Sequence, residues 1–256
     1  MIFTCSLQSG SNGNSFYVET NDVRLLFDAG ISARSSQQRL AEHDRDIRDV
    51  EAVIISHNHS DHIKHAGVLH RRFSLPVYMT PGAWHASRGK LGIVNDVRLF
   101  EAGDCLQFGS TTVQTVPTAH DGIDGVAFVI STINNKLGIF TDLGHRFEGI
   151  EKWITELDAV YLESNYDDEM LDNGPYPHWL KNRIRGNGGH LSNTEAAQLV
   201  DDSAQELQLL ILSHLSEHNN SPEIALATAR DILGEGFPIA MAHRGQVSEM
   251  FTVGQK

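Results

Sequence analysis

The segment Ala52-Val53-Ile54-Ile55-Ser56-His57-Asn58-His59-Ser60-Asp61-His62 joins an apolar, β-branched run to four metal-binding side chains spaced His-x-His-x-Asp-His. Val and Ile favour a buried strand. A strand that ends in such a cluster aims its ligands at one point from a rigid platform. His57 and His59 can approach one cation from a tight loop. Asp61 and His62, at the start of the next segment, can approach a second. Neutral imidazole and carboxylate are the usual donors to zinc, and they also suit manganese or iron. The ordinary alternative is a solvated polar loop. Three His and one Asp at this spacing, directly after a strand, set that alternative aside.

A two-metal site needs more ligands, and the chain repeats the same context: a polar residue just after a β-type run. Val23–Phe27 leads to Asp28, Thr111–Val116 to His120, Leu137–Phe140 to Asp142, and Leu209–Leu212 to His214. A lone His after a strand is usually a satisfied surface or core histidine. Taken together, strand-end residues on one edge of a layered fold can converge although they lie far apart in sequence.

The local patterns predict an α/β protein. Strands are expected at Ser15–Glu19, Val23–Asp28, Ala52–Ser56, Pro76–Met79, Thr111–Val116, Val126–Ser131 and Lys136–Phe140. Thr20-Asn21-Asp22 reads as a hairpin and Asn134-Asn135 as a turn. A helix is expected over Asp61–Phe73. The capping box Ser192-Asn193-Thr194-Glu195 opens another, running to about Gln205. Ser221-Pro222 opens a third, ending near Gly234. Strands with interspersed helices point to two packed sheets covered by helices. The chain shows no repeat, low-complexity tract or linker, so residues 1–256 read as one domain.

Charge and composition narrow the function. The net charge of −13 argues against tight, sequence-blind nucleic-acid binding by the body of the protein. Yet Ile63–Asn95 has no Asp or Glu while holding Lys64, Arg71, Arg72, Arg88 and Lys90. Asn173–Thr194 is again acid-free and holds Lys181, Arg183 and Arg185. Basic ground beside a metal cluster suits a negatively charged substrate; a solvated face is the plainer explanation. Two cysteines, Cys5 and Cys105, give no disulfide framework. There is no apolar run of ~18 residues and no signal-peptide pattern at the N-terminus. The expectation is a cytoplasmic protein with no membrane partner. The oligomeric state is not readable.

With these residues in place, the chain resembles the metallo-β-lactamase superfamily, whose five motifs match in order at Asp28, His57–His62, His120, Asp142 and His214. The resemblance implies a four-layer αββα sandwich with two metals at one edge. It implies His57, His59 and His120 as ligands of one metal, and Asp61, His62 and His214 as ligands of the other. Asp142 would bridge them, and Asp28 would orient the cluster loop from behind. Further segments resemble the YycJ (WalJ) branch of that family across nearly the whole chain: Ser9–Ser15, Glu163-Ser164-Asn165-Tyr166-Asp167, Gly174–Pro177, Gly189-His190-Leu191-Ser192-Asn193, and Ser213–Asn220. That branch is associated with phosphodiester hydrolysis in nucleic acids, including 5′-to-3′ exonuclease action on DNA. Tyr166 stands where the branch is expected to have His. There is no room for the inserted β-CASP domain of ribonuclease J-like relatives.

The expectation is therefore a nuclease with two divalent cations per chain, Zn²⁺ or Mn²⁺, or else Fe²⁺, and nucleic acid as substrate. Cations about 3.5–4 Å apart would activate a bridging water for in-line attack on phosphorus. Asp61, Asp142 and His190 are the candidate catalytic residues. His190 would contact the scissile phosphate or protonate the leaving oxygen, from beside a helix N-terminus; a spacer before the helix cap is the plainer explanation. Lys181, Arg183, Arg185, Asn165 and Ser192 are the candidate substrate contacts. His43, His70, His85, His145, His218 and His243 read as ordinary histidines. The metal site alone equally permits hydrolysis of a small ester: a cyclic phosphodiester, thioester or lactone. A di-iron redox relative is expected to carry Glu where this chain has His59. A binding-only relative is expected to lack ligands that are present here.

Overall fold

The computed structural model describes residues 1–204 and 206–254. In chain order its strands are β1 (Ile2–Gln8), β2 (Ser15–Glu19), β3 (Arg24–Phe27), β4 (Ala52–Ile54), β5 (Val77–Met79), β6 (Val97–Leu99), β7 (Cys105–Phe108), β8 (Thr111–Pro117), β9 (Val126–Ser131), β10 (Lys136–Phe140), β11 (Ala159–Glu163), β12 (Leu209–Ser213), β13 (Ile239–Met241) and β14 (Phe251–Val253). They form two seven-stranded sheets, ordered β14-β1-β2-β3-β4-β5-β6 and β13-β12-β11-β10-β9-β8-β7. Each sheet is antiparallel on one side and parallel on the other. The run β3-β4-β5-β6 is parallel in the first, and β10-β11-β12-β13 in the second.

Side chains alternate across a strand, and here both faces are buried. In β9, Val126, Phe128 and Ile130 point into the layer between the sheets, while Ala127 and Val129 point outward to helices. In β3 and β4, Leu25, Phe27, Ala52 and Ile54 face the inter-sheet layer. Leu26 and Val53 face the other way, toward a layer roofed by the helices Ala33–Ala41, Ala66–Phe73 and Pro81–Leu91. The second sheet is roofed by Glu148–Ile154, Asn193–Ser203 and Pro222–Leu233. Three apolar layers between two sheets and two helical coats make the αββα sandwich. Continuous apolar runs such as Ala52–Ile55 follow from that double burial.

One element departs from expectation. Asp61–Phe73 is not one helix but two, Ser60–Ile63 and Ala66–Phe73. The carbonyls that would continue the helical ladder are taken by other segments. Asn14 N–H donates to Asp61 O (2.7 Å) and Ala29 N–H to His62 O (2.6 Å), while His65 N–H donates to Ala29 O (2.9 Å). Gly30 allows this approach, since a Cβ there would lie 1.6 Å from Asp61 O. The break fixes the second half of the His cluster against the end of β3. The Ser192-capped helix has its full capping box and spans Asn193–Ser203; its expected end at Gln205 lies outside the described residues. Among those residues no helix is long and apolar enough to cross a membrane.

Candidate metal centre

The chain leaves β3, β4, β8, β10 and β12 at one edge of the sandwich, and each exit delivers a site residue: Asp28, His57, His120, Asp142 and His214. Three of these exits are left-handed at a non-glycine residue, with φ of 64° at Asp28, 56° at Asp142 and 57° at His214. Such conformations cost free energy and persist where the surrounding structure fixes them. Ser9 Oγ holds one of them, accepting from His214 N–H at 2.9 Å.

Two sets of donor atoms converge, each within 4.8 Å of one another: His57, His59 and His120 in one, Asp61, His62 and His214 in the other. Asp142 stands between them. Its carboxylate lies 3.1 Å from His62 Nε2 and 3.5 Å from His120 Nε2, and with His57 and His62 it forms a further ligating group. His57 Nε2, His214 Nε2 and Asp142 Oδ2 are buried without a hydrogen-bond partner. Buried polar atoms are nearly always partnered, so three such orphans, all on this one cluster, fit divalent cations as the missing partners. The His59 and His120 rings add a matching sign, turning nitrogens toward each other at 3.2 Å.

Behind these donor groups a further ring of acceptors sets the imidazoles. Asp28 Oδ2 accepts from His62 Nδ1 at 2.7 Å and from Ser56 Oγ at 2.9 Å, and Oδ1 accepts from Ser56 N–H. His120 Nδ1 donates to Gly189 O at 2.8 Å. Glu163, at the end of β11 and fully buried, does the same for two rings at once. Its Oε1 accepts from His190 Nδ1 (2.7 Å) and His214 Nδ1 (3.1 Å), and its Oε2 from the Leu143 and Leu191 N–H groups (both 3.2 Å). A histidine bonded through Nδ1 presents Nε2 to whatever lies in front. Glu163 carries no role in the sequence reading, although it follows an apolar β-type run just as Asp28 and Asp142 do. Asn14, whose amide lies 2.9 Å from His62 Nε2 and 3.3 Å from Asp61 Oδ2, likewise gives no sequence signal beyond its glycine-rich loop.

The electrostatics favour positive charge in the centre. Burial alone would lower the His214 pKa, but Asp142, Asp61 and Glu163 push it up to about 10. Burial likewise opposes protonation of His62, and Asp142, Asp28 and Asp61 override it. His57 goes the other way, held neutral by burial and by its histidine neighbours. Burial would raise the Glu163 carboxyl, yet His190 and His214 hold it down at about 2. Anionic side chains thus outweigh desolvation on the Asp61–His62–His214 side.

The structure distributes the substrate candidates unevenly. His190 is at the site, with its side chain 21% exposed and its ring 5.0 Å from His120 and 5.3 Å from His214. Arg183 reaches the rim through Asp121, whose Oδ2 accepts from its Nε (2.9 Å) and Nη2 (2.6 Å). Asp121 Oδ1 lies 3.4 Å from His59 Nε2. Lys181 and Arg185 instead turn to their own neighbourhood. Lys181 donates to Asp172 O (2.7 Å), and Arg185 pairs with Asp172 (2.8 Å). Asn165 and Ser192 are buried and occupied: Asn165 Nδ2 donates to His214 O at 2.8 Å, and Ser192 caps the Asn193–Ser203 helix. Tyr166 is 4% exposed and packs with Leu171 and Ile184. None of His43, His70, His85, His145, His218 and His243 joins a ligating group among the described residues.

Comparison with known proteins agrees with this fold. The model of the metallo-beta-lactamase superfamily matches residues 9–181. The chain is 36% identical over 240 residues to the exodeoxyribonuclease YycJ of Bacillus anthracis, covering 92% of this chain and 91% of that protein. It is 34% identical over 227 residues to the exodeoxyribonuclease WalJ of Streptococcus pneumoniae, covering 87% and 84%. In fold it is similar to the metallo-beta-lactamase fold protein YhfI from Bacillus subtilis, with a TM-score of 0.74, 18% identity, and coverage of 98% and 99%. With its sandwich, its strand-end donor groups and relatives matched over most of their length, the chain belongs to the metallo-beta-lactamase superfamily, in the YycJ/WalJ branch.

Proposed function

We propose that this protein is a metal-dependent phosphodiesterase that degrades DNA from an end, with two divalent cations per chain, Zn²⁺ or Mn²⁺, or else Fe²⁺. The observation that carries this reading is the full two-set donor cluster in a chain whose matched relatives are named exodeoxyribonucleases. His57, His59 and His120 would hold one cation, Asp61, His62 and His214 the other, and Asp142 would serve both. Such cations supply an activated water and neutralise charge on the non-bridging phosphate oxygens.

The chain's own groups do the rest. Asp28 and Glu163 hold the imidazoles in the tautomer that turns Nε2 forward. With Nδ1 engaged by Glu163, His190 is free to carry a proton at Nε2 to the leaving oxygen, a general-acid role. Arg183, already partly neutralised by Asp121, lies at the rim where a backbone phosphate would pass. Phosphate contacts give affinity without sequence preference, which suits end-directed degradation.

The test is a product analysis with labelled single- and double-stranded DNA and RNA, cyclic phosphates and thioesters, each with Zn²⁺, Mn²⁺ or Fe²⁺. Stepwise release of nucleotides from DNA is expected to exceed turnover of every small ester. Preferred turnover of a thioester or a cyclic phosphate would overturn the reading.

A further inference from the structure

We infer that the protein has a second phosphate-binding pocket beside the metal cluster, built from Lys64, Lys90, Ser87, Asn58 and Ser60, which takes a phosphate group of the polynucleotide away from the scissile one. The inference rests on the nuclease reading above. Asn58 and Ser60 alternate with the ligands His57, His59 and Asp61, so the pocket shares a loop with the centre. Its opposite wall is the helix Pro81–Leu91, which contributes Ser87 and Lys90. The cavity measures about 90 Å³, enough for a phosphoryl group.

Its chemistry is that of an anion site. Ser87 is 3% exposed, and its hydroxyl has no hydrogen-bond partner. A buried polar group left unpartnered is costly, and this one lines a cavity open to solvent. Lys64 and Lys90 are exposed and make no ion pair among the described residues. In this they differ from Arg183 and Arg185, whose charges are already met by Asp121, Asp168 and Asp172. The wall is rigid. Arg71 Nη1 donates to Leu91 O (2.8 Å) and Ile93 O (3.0 Å), fixing the helix end that carries Lys90. Gly67 lets the two helices meet, since a Cβ there would lie 2.0 Å from Leu91 O.

The experiment is fluorescence anisotropy of manganese-loaded protein with a DNA duplex protected by terminal phosphorothioate linkages, titrated over a range of salt. Lys64→Gln combined with Lys90→Gln is expected to raise Kd about tenfold or more, and to reduce the slope of log K against log salt by about 0.9, the loss of one phosphate contact. Ser87→Ala should raise Kd by a smaller factor, and the double change to Arg should restore the slope. Duplexes with a 5′-phosphate or a 5′-hydroxyl separate the two sources of the group. A 5′-phosphate preference that vanishes in the double variant assigns the pocket to a terminal monoester; equal loss on both assigns it to an internal diester. Wild-type affinity and slope in the double variant, with DNA still bound and degraded, would overturn the pocket alone. A wild-type protein that neither binds nor degrades DNA would overturn the nuclease reading and the pocket with it.

Discussion

Replacing Glu163 by Gln keeps shape and volume and removes one charge. In the wild type the carboxylate accepts four hydrogen bonds, two from imidazole N–H groups and two from backbone N–H groups. An amide has one oxygen and one NH₂. If the oxygen serves the backbone pair, the NH₂ faces the two histidine donors; if it serves the histidines, the NH₂ faces the backbone. Either way two donors lose their acceptor in a fully buried place. Each such loss costs about 1–3 kcal/mol, and some is recovered by histidine tautomer change, so Glu163→Gln should destabilise by roughly 2–4 kcal/mol. For a chain of this size that lowers Tm by about 5–15 °C. The larger effect is on chemistry. With Nδ1 of His190 no longer bound to a carboxylate, the protonated ring that donates from Nε2 loses its counter-charge, and kcat at saturating metal should fall about 10²–10⁴-fold, the usual worth of a general acid. His190→Ala should cost about the same, and the double variant little more, because the two residues act as one unit. The assay is DNA turnover at saturating metal, with thermal melting in parallel. A Glu163→Gln protein with near wild-type kcat, or one whose loss simply adds to that of His190→Ala, would refute the reasoning.

Other substitutions probe the rest of the centre. Asp28→Asn tolerates the left-handed backbone while removing the charge behind His62, so metal affinity should fall about 10–100-fold by competition with a chromogenic chelator, with the fold intact by circular dichroism. Gly122→Ala would place a Cβ 2.6 Å from His57 Cδ2, and kcat should drop more than about tenfold with a modest change in Tm. Arg183→Ala should raise KM for DNA more than Lys181→Ala and Arg185→Ala together, since only Arg183 reaches the rim; equal effects would place all three on the substrate path. Removal of metal by chelation should abolish DNA turnover, and Mn²⁺ or Zn²⁺ should restore it; activity that persists in chelator would contradict a metal-dependent reaction.

The parts of the centre legible in the sequence share one property: each residue sits just past an apolar β-type run, so strand order alone can bring Asp28, His57, His120, Asp142 and His214 to one edge. Glu163 has the same context after Ala159–Leu162, but a lone buried carboxylate announces no partner until His190 and His214 are folded against it. The split of Asp61–Phe73 was hidden for a related reason. Its helical pattern is sound locally, and the break comes from Asn14 and Ala29, which take up the carbonyls of Asp61 and His62. Charge was the least legible feature. Asn173–Thr194 is acid-free along the chain, yet Asp121, Asp168 and Asp172 meet its arginines in space, whereas Lys64 and Lys90 make no ion pair among the described residues. Pairing across segments is a tertiary property that a charge run cannot report.

Elemental analysis of the purified chain tests the central claim most directly, because the account rests on seven side chains holding two cations. The wild type, replete with its preferred metal, should approach two ions per chain, and Asp142→Ala should fall well short of two while keeping its circular dichroism spectrum. A wild-type plateau at one ion, or an Asp142→Ala protein that retains two and turns DNA over normally, would contradict it.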